Sequence, residues 1–126
     1  MRALDHALKW AETRPGVELV LVNVQPHVIE WQVRGMGADA IKAHQDFQAN
    51  EALKEAIAAT EARRVRYRVA KRSGEPAEQI VDVARTEAVN GIVLGTRGLG
   101  KVADLFLGSV AHKVVHLASV PVTLVK

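Results

Sequence analysis

The chain has 126 residues, the length of one domain, with 48% hydrophobic and 25% charged residues, as in a soluble globular protein. It has no cysteine, which excludes disulfides, thiolate metal sites and cysteine nucleophiles and suits a reducing cytoplasm. No apolar run is long enough for a membrane span, the start lacks a signal-peptide pattern, and a net charge of +3 permits an anionic ligand without demanding nucleic acid.

The pattern predicts a helix first. Leu4, Ala7, Leu8 and Ala11 recur at helical spacing, and Pro15-Gly16 stops the run. Glu18 to Val24 reads as a strand with a continuous apolar core from Leu19 to Val22. Gln25 to Gly37 has no clear period and reads as a long surface loop, in which Trp31 covers the core edge or meets a partner. Asp39 to Ala62 is a long helix whose expected buried stripe is Ile41, Phe47, Leu53, Ala56, Ile57 and Thr60. His44 on this helix has no second ligand at helical spacing and reads as solvated.

Val65, Tyr67 and Val69 alternate with Arg64, Arg66 and Arg68, the mark of a strand with one polar side. Together with Arg63, Lys71 and Arg72 this is the most basic run of the chain. A stripe for nucleic-acid phosphates is one reading. A charged edge strand that resists unwanted pairing is the simpler one, because Tyr67, the only ring, falls on the apolar side. Ser73-Gly74 turns the chain, and Pro76 fits the first position of a helix running to about Glu87 that buries Ile80, Val83 and Ala84.

The most informative stretch follows. Ile92-Val-Leu is a short apolar run, as in a strand covered on both faces, and Gly95, Gly98 and Gly100 come at once after it. Gly108-Ser109 then opens a last helix to Leu117, expected to bury Val110, Val114 and Leu117. Strand, glycine loop and helix N-terminus can form a phosphate cradle, because backbone N–H groups converge there. An ordinary strand-to-helix connection has the same elements. No Gly-Lys-Ser/Thr closes the loop, so it is not a Walker loop, and the spacing is not that of the dinucleotide fingerprint. His112 and His116 lie one turn apart on the exposed side of the last helix. Lys113 stands where a metalloprotease would place its Glu, so they read as surface histidines. Val120 to Val125 closes the chain as a strand, with Pro121 at its start or on an edge.

The spacing Gly95-x2-Gly98-x9-Gly108-Ser109 resembles the nucleotide-loop motif of the universal stress protein family. The words around it agree: Gly74-Glu-Pro-Ala-Glu-Gln-Ile-Val upstream, Leu107-Gly-Ser-Val-Ala-His-Lys-Val after it, and Val120-Pro-Val-Thr-Leu-Val at the end. The resemblance runs from Leu4 to the end of the chain. It implies an α/β fold, Rossmann-like (adenine nucleotide alpha hydrolase-like), with three layers and a mostly parallel sheet. It also implies bound ATP, with Mg or Mn on the phosphates. Val24 would pack near adenine, Leu94 would reach the same binding edge, and Gly95, Arg97, Gly98, Gly108, Ser109 and Val110 would surround ribose and phosphates. Ala111 is small where some ATP-binding members carry a hydroxyl, a lost phosphate contact. Family dimers pair through the last strand, so 121–125 is expected to join two copies.

Family members begin with a strand that ends in an Asp on the nucleoside. Here the readable strands are only about 18–24, 65–70, 91–95 and 121–125, and that first strand and its Asp are absent; Asp5 lies inside the first helix. The expectation is a central gap between the strands containing Val20 and Ile92. A partner chain or a shifted strand would fill it, or the natural protein carries more residues ahead of Met1. No paired carboxylates and no general base accompany the glycine loop, and Asp104 within the excursion reads as a surface carboxylate. The expected function is an ATP-binding stress-response regulator. A slow ATPase or phosphotransferase and a dimerisation module that binds no nucleotide are the alternatives.

Overall fold

A computed structural model describes residues 1–27, 35–96 and 108–126. The chain alternates helix and strand: α1 (Arg2–Glu12), β1 (Glu18–Gln25), α2 (Ala38–Ala62), β2 (Arg66–Ser73), α3 (Pro76–Thr86), β3 (Ile92–Gly95), α4 (Ser109–Leu117) and β4 (Val122–Val125). Each of these elements was legible as periodicity. The largest boundary difference is β2, which runs three residues past Ala70, because Lys71, Arg72 and Ser73 pair with Asn23, Val24 and Gln25.

All pairing among the described residues is parallel, and it falls into two separate ladders. β1 pairs with β2, with Glu18 opposite Arg66 and Gln25 opposite Ser73. β3 pairs with β4, with Ile92 opposite Val122 and Gly95 opposite Val125. The expected central gap is therefore present, and no shifted strand of the described chain fills it. The helices place the half-sheets side by side. α1 touches β1, β3 and β4; α2 touches β1 and β2; α3 lies on β1 and β2 and packs against α4, which lies on β4. β1 and β3 are thus the inner strands. A single helix, α3, connects β2 to β3, so all four strands run the same way, as in a Rossmann-like α/β domain.

The core lies between helices and strands. α1 buries Ala7, Leu8 and Ala11, its i, i+4 stripe; α3 buries Ala77, Val83 and Ala84; α4 buries Ala111 and Val114. Arg63 after α2 ties α1 down through Asp5 at 3.3 Å and Glu12 at 3.2 Å. Two expected core residues are exposed. Phe47 on α2 is 59% accessible, and Leu117 at the end of α4 is 43%. α2 has 25 residues and β1 has 8, so the helix is about 37 Å long against about 26 Å for the strand beneath it. The excess overhangs: burial on α2 begins only at Ala49. Leu117 is the last helical residue, and the helix that packs beside α4 buries Val114 instead.

Candidate functional site

In parallel α/β sheets the carboxyl ends of the strands face the helix N-termini, and that edge is where ligands bind. β3 ends here at Gly95. The next residue, Thr96, is held to the end of β4: its N–H donates to the Val125 carbonyl at 2.9 Å, and its hydroxyl donates to the same oxygen at 3.4 Å. The Thr96 carbonyl in turn accepts the Gly108 N–H at 3.0 Å. That bond holds Gly108 against Thr96, so α4 starts directly beside the end of β3. Gly95, Gly108, Ser109 and Val110 are thereby brought together, with Leu94 half-buried below them. Arg97 and Gly98, like Lys101 and Asp104, lie outside the described residues.

Gly108 has extended backbone, φ −60° and ψ 153°, and its carbonyl accepts the His112 N–H at 2.9 Å, the first bond of α4. Among the described residues no side chain caps this helix. Its first N–H groups are those an α-helix leaves without intrahelical partners, and that end is partially positive. The neighbouring helix contrasts with it. The Glu75 carboxylate accepts from the N–H of Glu78 at 2.8 Å and of Ala77 at 3.3 Å, so α3 caps itself with its own anion. These backbone bonds, the Glu78 N–H first, and Lys113 hold the Glu75 pKa below its usual value. Lys113 reaches across from α4 to Glu75 at 3.4 Å and Glu78 at 3.5 Å, and the Glu75 contact raises its pKa. So, of the two helix starts that this ion pair links, that of α3 is capped by its own anion, and among the described residues that of α4 is not.

Val24 lies on the same carboxyl edge but in the other half. It is half-buried in β1, opposite Arg72. Beside it Gln25 donates to the Asn23 side chain at 2.7 Å, and the Gln25 carbonyl accepts the Gly74 N–H at 2.9 Å. Gly74 has φ +138°, and a Cβ there would come within 3.1 Å of Gln79 and 3.4 Å of His27. This close approach explains the glycine of the Gly74-Glu-Pro word. The edge thus has an apolar side at Val24 and Leu94 and an open helix start at Gly108 and Ser109.

Thr96 and Lys113 were missed by sequence reasoning. Thr96 had a weak signal, a hydroxyl residue between strand and glycine loop. The Lys113–Glu75 pair had none, since it joins two helices 38 residues apart in the chain. A second crevice of about 240 Å³ lies at the amino ends of β3 and β4, between Val89, Ile92 and Ser119, far from the glycine loop. Among the described residues no group of three His, Asp or Glu converges as a metal site. His112 and His116 are both exposed. Half of the basic run's six cations are in ion pairs among the described residues: Arg63 with Asp5 and Glu12, Arg68 with Glu18 at 2.6 Å and Glu87 at 2.9 Å, and Arg72 with Asp82 at 2.7 Å.

The family model described as "Universal stress protein family" matches residues 1–126. A universal stress protein of Thermus aquaticus is 55% identical over 53 residues, 42% of this chain and 39% of that protein. One of Methanothermobacter thermautotrophicus is 47% identical over 62 residues, 49% of this chain and 42% of that protein. The matched stretch is thus about two-fifths of each curated relative's length. Among solved structures, the universal stress protein of Archaeoglobus fulgidus in complex with dAMP is similar with a TM-score of 0.71 and 26% identity, over 99% of this chain and 86% of its own.

Proposed function

We propose, from the premise that the chain belongs to the universal stress protein family, that it is an ATP-binding regulator whose nucleotide lies on the carboxyl edge of β3. The observation that carries this reading is the uncapped start of α4, held against the end of β3 by the Gly108–Thr96 bond. Gly108 leaves room for close backbone approach, and the first N–H groups of α4 with the Ser109 hydroxyl supply donors for phosphate oxygens. Val24 and Leu94 offer apolar surface to the adenine ring. Gly95, Arg97, Gly98 and Val110 complete the set. The relative's bound dAMP supports an adenine nucleotide; the triphosphate rests on the glycine spacing. A Mg²⁺ or Mn²⁺ ion would neutralise the phosphates and be held chiefly by them and by water. The site residues bind and orient; no general base stands beside them among the described residues, so turnover is not the role proposed.

Titration with Mg-ATP by calorimetry tests this. Saturable binding is expected, weakened at least about tenfold, or 1.4 kcal/mol, by Gly98→Ala and by Gly108→Ala, since a Cβ blocks the phosphate approach. A folded chain that gives no heat overturns it. Among the described residues β4 pairs only with β3, and Leu124 on it is 37% exposed. We accordingly propose a cytoplasmic homodimer joined through Val122–Val125. Sedimentation should show a dimer, and Leu124→Lys should shift it toward monomer by placing a charge on the pairing edge.

A further inference from the structure

The ion pair that joins α3 to α4 is unevenly balanced. Glu75 does not depend on Lys113. Its carboxylate caps α3 by accepting the N–H of Glu78 at 2.8 Å and of Ala77 at 3.3 Å. The Glu78 N–H is the largest cause of its lowered pKa, and Lys113 comes after both backbone bonds. Lys113 does depend on Glu75, whose contact is the largest cause of its raised pKa. Both contacts of the lysine are long. Its Nζ lies 3.4 Å from Glu75 and 3.5 Å from Glu78, whereas Arg72 meets Asp82 on the same α3 at 2.7 Å. The Lys113 side chain is 44% exposed and that of Glu78 61%, so solvent weakens the attraction. The lysine can therefore leave without stranding a partner. Glu75 keeps its two backbone donors, and Glu78 keeps water.

The place of Lys113 on α4 gives it somewhere to go. It is the only lysine or arginine of that helix and stands four residues after Ser109, the first helical residue. Residues four apart share one face of a helix, with Cβ atoms about 5–6 Å apart. Helical side chains lean toward the N-terminus, so the stem of Lys113 runs back toward the start of α4. Ala111 and Val114 are the buried side of the helix; Ser109 is exposed, and Lys113 sits half-buried at the margin next to α3. The N–H groups at the helix start are fixed in place and meet the phosphate nearest to them. A longer phosphate chain extends past them. A flexible four-carbon stem carrying three rotatable donors can follow that chain, which fixed N–H groups cannot do.

We propose that Lys113 is a specificity-determining residue of the nucleotide site: it leaves Glu75 and Glu78 for the distal phosphate oxygens of a bound triphosphate, and so favours a triphosphate over a monophosphate. This deepens the proposed function and rests on it. The exchange replaces one anionic partner with another, so the ammonium stays paired throughout. Because the same lysine joins the two helices, a bound triphosphate also unfastens α4 from α3, and a monophosphate does not.

Calorimetric titration of the full chain with Mg-ATP and with AMP, at about 0.1 M salt to hold screening constant, tests this. Lys113→Met should weaken ATP binding about tenfold and AMP binding by less than about twofold, which collapses the preference. Lys113→Arg should keep the preference, since it retains a cation on a long stem. Glu75→Gln separates the proposal from a merely structural clasp. A clasp that only holds α4 in place predicts weaker ATP binding in this variant; a lysine released in advance predicts binding that is equal or tighter. The carboxyl of Glu75 in the unaltered chain, followed by carbon-13 NMR, should titrate at higher pH with ATP bound than with AMP bound, because its lysine has left. Equal losses of ATP and AMP affinity in Lys113→Met, weaker ATP binding in Glu75→Gln, or the same Glu75 titration with both nucleotides would each overturn the proposal. Binding of both nucleotides with a ratio that Lys113→Met does not move leaves the proposed function standing and overturns this inference alone. No binding of either nucleotide by the unaltered chain removes both.

Discussion

The two half-sheets are built to different standards. β1 and β2 pair over eight residues, are covered by α2 and α3, and are laced by Arg68 to Glu18 and Glu87 and by Arg72 to Asp82. β3 and β4 pair over only four, carry the glycine loop and the uncapped α4, and leave Val93 and Leu124 more than a third exposed. The long ladder is scaffold and the short one is the candidate binding half. A binding edge needs unsatisfied donors and glycine, and both weaken the unit that carries them. What joins the halves is α1, which touches strands of both, and the α3–α4 contact with its Lys113 clasp.

The comparison breaks most clearly at α1. Leu8 is 2% exposed on the helix that spans both halves, so Leu8→Ala should cost about 2–4 kcal/mol. It should lower the whole melting transition. Val114→Ala, under the short half, should cost less, about 1–3 kcal/mol by the same cavity argument, and should release α4 and β3 amides to exchange before those of β1 and β2. Denaturant melts with site-resolved exchange check both. Equal loss of protection in the two halves with Val114→Ala would mean that they unfold as one unit.

Acid sharpens the contrast more gently. The carboxyl of Glu75 is held below its ordinary value of 4.5, chiefly by the Glu78 N–H, and that of Asp82 below 3.8, chiefly by Arg72. A depressed carboxylate stabilises the fold fully above its unfolded pKa, and that stability is lost as pH falls through the folded value. Melting temperature should therefore fall as pH drops below about 4.5. Because Glu75 clasps α4 while Asp82 braces β2, Glu75→Gln should flatten the acid response at α4 amides and leave that of β2 unchanged. The smallest effect is expected at exposed positions of the outer strand, β2. Arg66→Gln and Lys71→Gln, both exposed and without an ion pair among the described residues, should change stability by less than about 0.5 kcal/mol. Measurable loss of affinity for an oligonucleotide in these variants would revive the nucleic-acid reading of the basic run.

The alternation of period-2 and period-3.6 apolar patterns was enough to read every helix and strand, because each element buries one face of its own. The glycine spacing directed attention to the carboxyl edge of β3, where one hydrogen bond from Gly108 to Thr96 sets the start of α4 beside the strand end. The expected gap between Val20 and Ile92 came from the family resemblance and not from any local pattern. Sequence reasoning misjudged Phe47, since periodicity shows which side of a helix is apolar and not how far the helix outruns its strand. Tertiary structure alone decided that the described strands form two ladders under one helix, that Glu75 occupies the start of α3, and that Lys113 of α4 reaches across to it. Those outcomes depend on contacts between residues far apart in the chain, where strand order and helix packing select partners that no local pattern encodes.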